Sequence, residues 1–398
     1  MDHQRFKIPR DPKQPEAGRI PREDWDRAPW NRWTFQHVRE MLPTATVWRG
    51  AAAPRPLPSA LVDLDGIRFE AEGRTFSLAR FLDEDFTDGF LVLHRGSIVA
   101  EHYANGMTPR TTHLSQSVAK SVVGSVGGIL IARGLIDPAA PLSDYLPELE
   151  RTAYRGATVQ HLLDMTSGVL FDETYTALDS HMAKLDAAAG WKERRDESWP
   201  RTVWELVLSL TELECPHGQF FRYRSIETDV LAFVLQRVTG LPLAELVSRE
   251  IWVPIGAEED GYFTVDASGY ALADGGFNAT LRDYARFAMM LANGGAVDGR
   301  QIVPAAWIEE TRRGDRTRFD GEYLAVLPRG AFHNQFWIED DVGRALLCRG
   351  VFGQFIYVDP EADFAAVKLS SWPDFVDPAR TRTAIAAIHA VRDALVGG

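Results

Sequence analysis

Hydrophobic and polar positions along the chain change period twice, from alternating at the start to helical in the middle and back to alternating near the end. FLVLHRGSIVAEHYA (90–104) sets two apolar runs on either side of Arg95-Gly96. That pattern predicts an antiparallel hairpin. QFIYVDPEADFAAVKLSSW (354–372) reads the same way, with Asp359 to Asp363 as its turn. The closing stretch ARTRTAIAAIHAVRDALV has helical period and no breaker, so a terminal helix can pack on the sheet. In the middle, SVAKSVVGSVGGILIAR (117–133) is apolar on every side and rich in small residues, which predicts a buried helix. Gly134 and Asp137-Pro138 end it. Further helices are expected over 157–168 and 226–240, each closed by a glycine, and over 281–293. No internal repeat or low-complexity segment interrupts the series. The expected architecture is α+β: an antiparallel sheet flanked by helices, built from 1–115 and 268–398, and a mainly helical lobe over 116–267, with a cleft between them.

Residues 1–30 read as an irregular arm within an N-terminal segment of about 50 residues, pinned to the body by Trp25, Trp30, Trp33 and Trp48. A Pro-punctuated connector follows over 50–60. The 398 residues are 45% hydrophobic, enough for a large core. Their formal charge is −13, which repels phosphate backbones and anionic lipid and argues against nucleic acid or membrane partners. It suits small cationic or zwitterionic substrates. Cys215 and Cys348 form no C-x-x-C pair or disulfide framework. The polar start MDHQRFKIPRD lacks the apolar core of a secretory signal, and no apolar run approaches 18 residues. A cytoplasmic protein is expected.

Candidate chemistry centres on Ser117-Val118-Ala119-Lys120, which opens the apolar helix. Residues at i and i+3 share a helical face. Free N–H groups and the positive dipole end at a helix start favour a developing oxyanion. A lysine desolvated there is expected to have a lowered pKa and to act as a base. A bare Ser-x-x-Lys arises by chance about once in a chain this long, and its plain alternative is a capping serine with a surface lysine. The apolar setting of Lys120 argues against that alternative.

A second proton carrier must reach Ser117 from another element. Tyr223-Arg224-Ser225, just before a predicted helix, fits better than Tyr103-Ala104-Asn105, which reads as an outer strand end. A Ser-His-Asp triad has no support: G-x-S-x-G is absent, His161 reads as a surface or core histidine, and His94 as an exposed turn residue. Neither H-E-x-x-H nor a dinucleotide or P-loop fingerprint occurs, so no metal or cofactor is expected.

Ser117-x-x-Lys120, Tyr223-x-Ser225 and the Gly-rich Arg349-Gly350-Val351-Phe352-Gly353-Gln354, in that order, resemble the serine β-lactamase and penicillin-binding superfamily. Within it the likeness is to the class C-like esterases and amidases, above all those cleaving linear amides such as 6-aminohexanoate oligomers. Longer strings carry it further, among them NRWTFQHVREMLP, GLIDPAAPLSDYLPEL, FDETY, AAGWKERR and VKLSSWPD. The resemblance implies that Ser117 is acylated, Lys120 is the general base and Tyr223 relays the proton to the leaving group. It implies an oxyanion hole from the N–H groups of Ser117 and Val351. It also implies that Tyr175 closes over the bound amide, that Asp186 holds a substrate ammonium, and that Asp274 and Phe352 face the substrate. A homodimer is one assembly open to such a chain.

Departures bear on specificity. Cys348-Arg349-Gly350 stands where β-lactamases carry Lys-Thr-Gly, and a thiol cannot replace that ammonium, although Arg349 adds charge. Phe352 and Asp274 differ from the histidine and amide or histidine of the amidases. The expected activity is amide or ester hydrolysis through an acyl-enzyme. A short-acyl esterase, a β-lactamase or peptidase, and a non-catalytic binding protein are the alternatives.

Overall fold

Seven antiparallel strands form the main sheet, and distant parts of the chain supply them. In spatial order they are Ala331–His333, Phe336–Ile338, Leu346–Gly350, Gln354–Asp359, Phe364–Ser370, Thr87–His94 and Ser97–Tyr103. The computed structural model describes residues 20–397, so the first part of the expected arm lies outside the described residues. Both anticipated hairpins are present, and Phe364–Ser370 joins them by pairing with Thr87–His94. The central strands are buried along their whole length because helices cover both faces. Leu281–Ala292 packs on one face, where Gly89 meets Leu281. Alternation sends Lys368 and Tyr357 to the other face, against Leu78–Glu84 and Pro378–Val396. The connector covers the outer edge: Ile98 N–H donates to the Pro58 carbonyl at 2.7 Å, and Ala60 N–H to Ile98 at 2.8 Å.

A second, four-stranded antiparallel sheet was not anticipated. It orders Thr44–Val47, Gly261–Thr264, Phe277–Thr280 and Thr112–Leu114. Strands of three or four residues are too short to show a period of two. This small sheet matters, because Thr112–Leu114 runs into Ser117 and the chain leaves Asp274 into Phe277–Thr280.

Between Val118 and Trp252 every named element is a helix, joined by loops over 164–180, 189–202 and 210–225. Val118–Ala132 is buried from Val118 through Leu130, and its small residues admit close neighbours. A Cβ on Gly128 would lie 2.5 Å from the Trp307 ring. The helix expected over 157–168 is only Val159–Leu163, with His161 and Thr158 forming a reciprocal cap and Met165 turning the chain at φ 51°. Ile226–Thr239 ends as expected on left-handed Gly240.

Two aromatic expectations change. Trp25 is fully buried, but Trp48 is 55% exposed and pins nothing. His94 is buried, not exposed, because it pairs with Phe364 of the second hairpin. Among the described residues, no single helix is long and apolar enough to cross a membrane.

Candidate active site

Ser117 is delivered by the small sheet. Ser115 is tied to it twice, its N–H and its hydroxyl each donating to the Phe277 carbonyl at 3.0 Å. Gln116 then adopts φ 52°, a left-handed conformation that costs a non-glycine residue about 1–2 kcal/mol. This turn sets Ser117 at the start of Val118–Ala132 with its hydroxyl free of any capping bond. Lys120, 2% exposed, places Nζ 3.1 Å from Ser117 Oγ, 2.6 Å from the Asp274 carbonyl and 3.5 Å from Asp274 Oδ2.

Tyr223 arrives from the loop before Ile226–Thr239. Its N–H donates to the Tyr323 hydroxyl at 3.0 Å, and its ring stacks on Trp337 at 5.5 Å. Lys120 Nζ lies 5.3 Å from the centre of the Tyr223 ring, and Ser117 and Lys120 both pull the Tyr223 phenol toward ionisation. The structure therefore brings Ser117, Lys120 and Tyr223 together, while Tyr103 ends an edge strand with its hydroxyl on Glu101.

The charge of Lys120 differs from the expectation. Burial alone favours the neutral amine, but Tyr223, Asp274, Glu173 and Asp229 outweigh it and raise the pKa above its ordinary value. Burial also raises the Tyr223 phenol, against the pull of Lys120 and Ser117. Both groups are thus held toward their protonated forms, and the pair can accept a proton from Ser117 only when one of them has released its own.

Val351 lies at the cavity beside Ser117. Neither its N–H nor that of Ser117 has an acceptor among the described residues, so both are free to bind an oxyanion. Gly350 permits this approach: a Cβ there would sit 2.4 Å from the Ser115 carbonyl. Gly350→Ala should push the strand end from Ser115 and displace the Val351 N–H. Its kcat is expected to fall about 100-fold with KM little changed. A kcat within about threefold of the parent, measured beside a thermal unfolding curve, would remove Val351 from the site.

Two pockets meet at Ser117. The larger, about 750 Å³, is of a size that takes a small molecule, and Tyr175, Tyr223, Trp337 and Arg349 line it. Arg349 has no carboxylate partner among the described residues; its guanidinium lies 4.8 Å from the centre of the Trp337 ring. Burial lowers its pKa to about 10. The smaller pocket, about 20 Å³, holds little more than one water and is lined by Asp186, Asp274, Tyr175 and Trp191.

The remaining expected residues divide. The Tyr175 ring stacks on Phe375 at 5.3 Å and its hydroxyl donates to Glu173 at 2.9 Å. Asp186 lies on His181–Ala188 and is held by Lys192 at 3.2 Å. Asp274 reaches the site but pairs with Lys120, and its segment is anchored where Ala273 N–H donates to Asp229 at 2.9 Å. Phe352 is corrected: it is fully buried between Phe35 and Phe375 and lines neither pocket. Sequence reasoning passed over Glu173, which also accepts from Ser225 Oγ at 2.6 Å, and over Lys192. Glu173 stood inside the FDETY string, two residues before Tyr175, which was the available signal.

The family model described as Beta-lactamase matches residues 84–390. The chain belongs to the Beta-lactamase family. Its members among the relatives are hydrolases, and this chain is a hydrolase of that family. It is 37% identical over 360 residues to the 6-aminohexanoate-dimer hydrolase of Paenarthrobacter ureafaciens, covering 90% of each chain. It is 30% identical to Esterase EstB of Burkholderia gladioli over 162 residues, 39% of this chain and 40% of that one. A Bacillus anthracis structure provisionally named a 6-aminohexanoate-dimer hydrolase superposes with a TM-score of 0.88 at 30% identity, covering 96% of this chain and 98% of the other. The α+β architecture of sheet and helices is the β-lactamase and penicillin-binding-protein fold.

Proposed function

We propose that the protein hydrolyses short linear amides of the 6-aminohexanoate type through an acyl-enzyme on Ser117. One observation carries the reading: Ser117 and the Lys120–Tyr223 pair sit where a pocket lined by Asp186 and Asp274 meets the Arg349 guanidinium, which has no carboxylate partner among the described residues. A linear ω-amino acid dimer carries an ammonium at its acyl end and a carboxylate at its leaving end. Asp186 suits the first and Arg349 the second.

Once the Lys120–Tyr223 pair has released one proton to solvent, Ser117 Oγ attacks the carbonyl carbon as its own proton enters the pair. The oxyanion is held by the N–H groups of Ser117 and Val351, each such donor contributing about 3 kcal/mol. The C–N bond breaks as Tyr223 passes that proton to the leaving amine. Water then attacks the ester, giving the carboxylic acid and restoring the serine. Two unpaired thiols, Cys215 and Cys348, are in keeping with a cytoplasmic setting. Short acyl esters are the second reading, supported by the matched segment of Esterase EstB.

Asp186→Ala tests the first reading. The KM for the aminohexanoate dimer should rise about 10- to 100-fold, the worth of a charge-assisted bond, while p-nitrophenyl butyrate turnover stays close to the parent. Equal losses on both substrates would make Asp186 structural and leave the esterase reading in its place.

A further inference from the structure

Residues 22–27 of the arm lie across the segment that follows Asp186. Trp25 Nε1 donates to the Trp191 carbonyl at 2.9 Å, and Glu193 N–H donates to Glu23 at 2.9 Å. Between these ties, buried Asp26 reaches Lys192: its Oδ2 lies 3.2 Å from Nζ, the same distance as Asp186 Oδ2. One ammonium is therefore shared by two carboxylates. Nearby, Lys120 and Asp274 pair with each other at 3.5 Å. On the Asp186 side of the small pocket the charged groups are thus Asp26, Lys192 and Asp186, with Arg27 close to Asp26 and Lys192. Two buried polar atoms on the pocket's lining residues have no hydrogen-bond partner among the described residues, the acceptor Asp274 Oδ1 and the donor Gln116 Nε2.

We propose that Asp26 is a positioning residue for amine-bearing substrates: by sharing Lys192 with Asp186 it offsets that lysine, and so keeps the pocket beside Ser117 negative for a substrate ammonium. This rests on the reading that the pocket takes an ammonium. Without Asp26, Lys192 would neutralise Asp186 and itself occupy the place of the cation. Burial pushes Asp186 up to about 7, with Lys192 opposing and Asp26 adding to the rise. An arriving ammonium would draw it back to the charged form.

The test compares Asp26→Asn, Asp26→Asn with Lys192→Met, and Asp186→Asn on three substrates: the aminohexanoate dimer, its N-acetylated form and p-nitrophenyl butyrate. Asp26→Asn should raise KM for the free-amine dimer about tenfold, with kcat and both neutral-ended substrates within about twofold. Removing Lys192 as well restores a single negative charge, so the double variant should return to within about threefold of the parent. Loss on all three substrates, or no rescue in the double variant, would overturn the proposal by making Asp26 merely structural. If Asp26→Asn does not fold, the double variant decides alone: retained preference for the free amine supports the proposal and lost preference overturns it. Asp186→Asn separates the two levels. If it leaves the dimer unaffected, the ammonium pocket itself is wrong. If it is selective and Asp26→Asn is silent, only the role of Asp26 falls.

Discussion

Ser117→Ala should lower hydrolysis of every amide and ester by about 10⁴-fold or more, because removal of a covalent nucleophile leaves only binding and oxyanion contacts. The same change should leave stability almost untouched. A serine at a helix start commonly contributes about 1 kcal/mol by capping, but the Ser117 hydroxyl caps nothing and faces Lys120 instead. Alanine also fits the αR backbone that Ser117 adopts, while the strained turn belongs to Gln116. Activity and stability should therefore separate cleanly, as measured by turnover of p-nitrophenyl butyrate and the aminohexanoate dimer beside a thermal melt. Turnover within about tenfold of the parent would show another nucleophile.

Lys120→Met should cost both activity and stability. The proton relay loses its amine, which should lower kcat about 10³-fold. Asp274 loses its cation while remaining buried, and breaking a buried ion pair from one side costs about 3 kcal/mol. Asp229, already pushed up by burial and by Asp274, loses a favourable neighbour as well. Adding Asp274→Asn removes the stranded charge, so the double variant should regain much of the melting temperature and none of the activity. A single variant that kept near-parental kcat would reduce Lys120 to a packing residue. One that kept its melting temperature would contradict the electrostatic account of its charge.

The parts of this molecule that could be read from sequence are the ones whose physics is local. Ser117 and Lys120 are three residues apart, so helical geometry alone places them on one face. The two hairpins show because their strands are six to eight residues long and flank identifiable turns. Tyr223 could be placed at a loop-to-helix junction, but its hold by Tyr323 and Trp337 joins segments about a hundred residues apart.

Properties set across the fold were hidden. The pKa of Lys120 depends on Tyr223, Asp274, Glu173 and Asp229, which converge from other segments, so desolvation alone pointed the wrong way. Asp186 reads as a loop acid in sequence, yet it is a helix residue sharing Lys192 with the arm. Phe352 was expected at the substrate because the resembling amidases carry a histidine at its position. Its φ of 62° belongs to a tight turn, and its ring is buried among Phe35 and Phe375.

A covalent intermediate on Ser117 is the claim on which the rest depends. Incubating the protein with p-nitrophenyl butyrate, quenching in acid and mapping the peptides by mass spectrometry tests it directly. The account predicts one butyryl group per chain, on the peptide that contains Ser117, and none in Ser117→Ala. A butyryl group on another residue, or rapid turnover with no covalent adduct at any quench time, would contradict it.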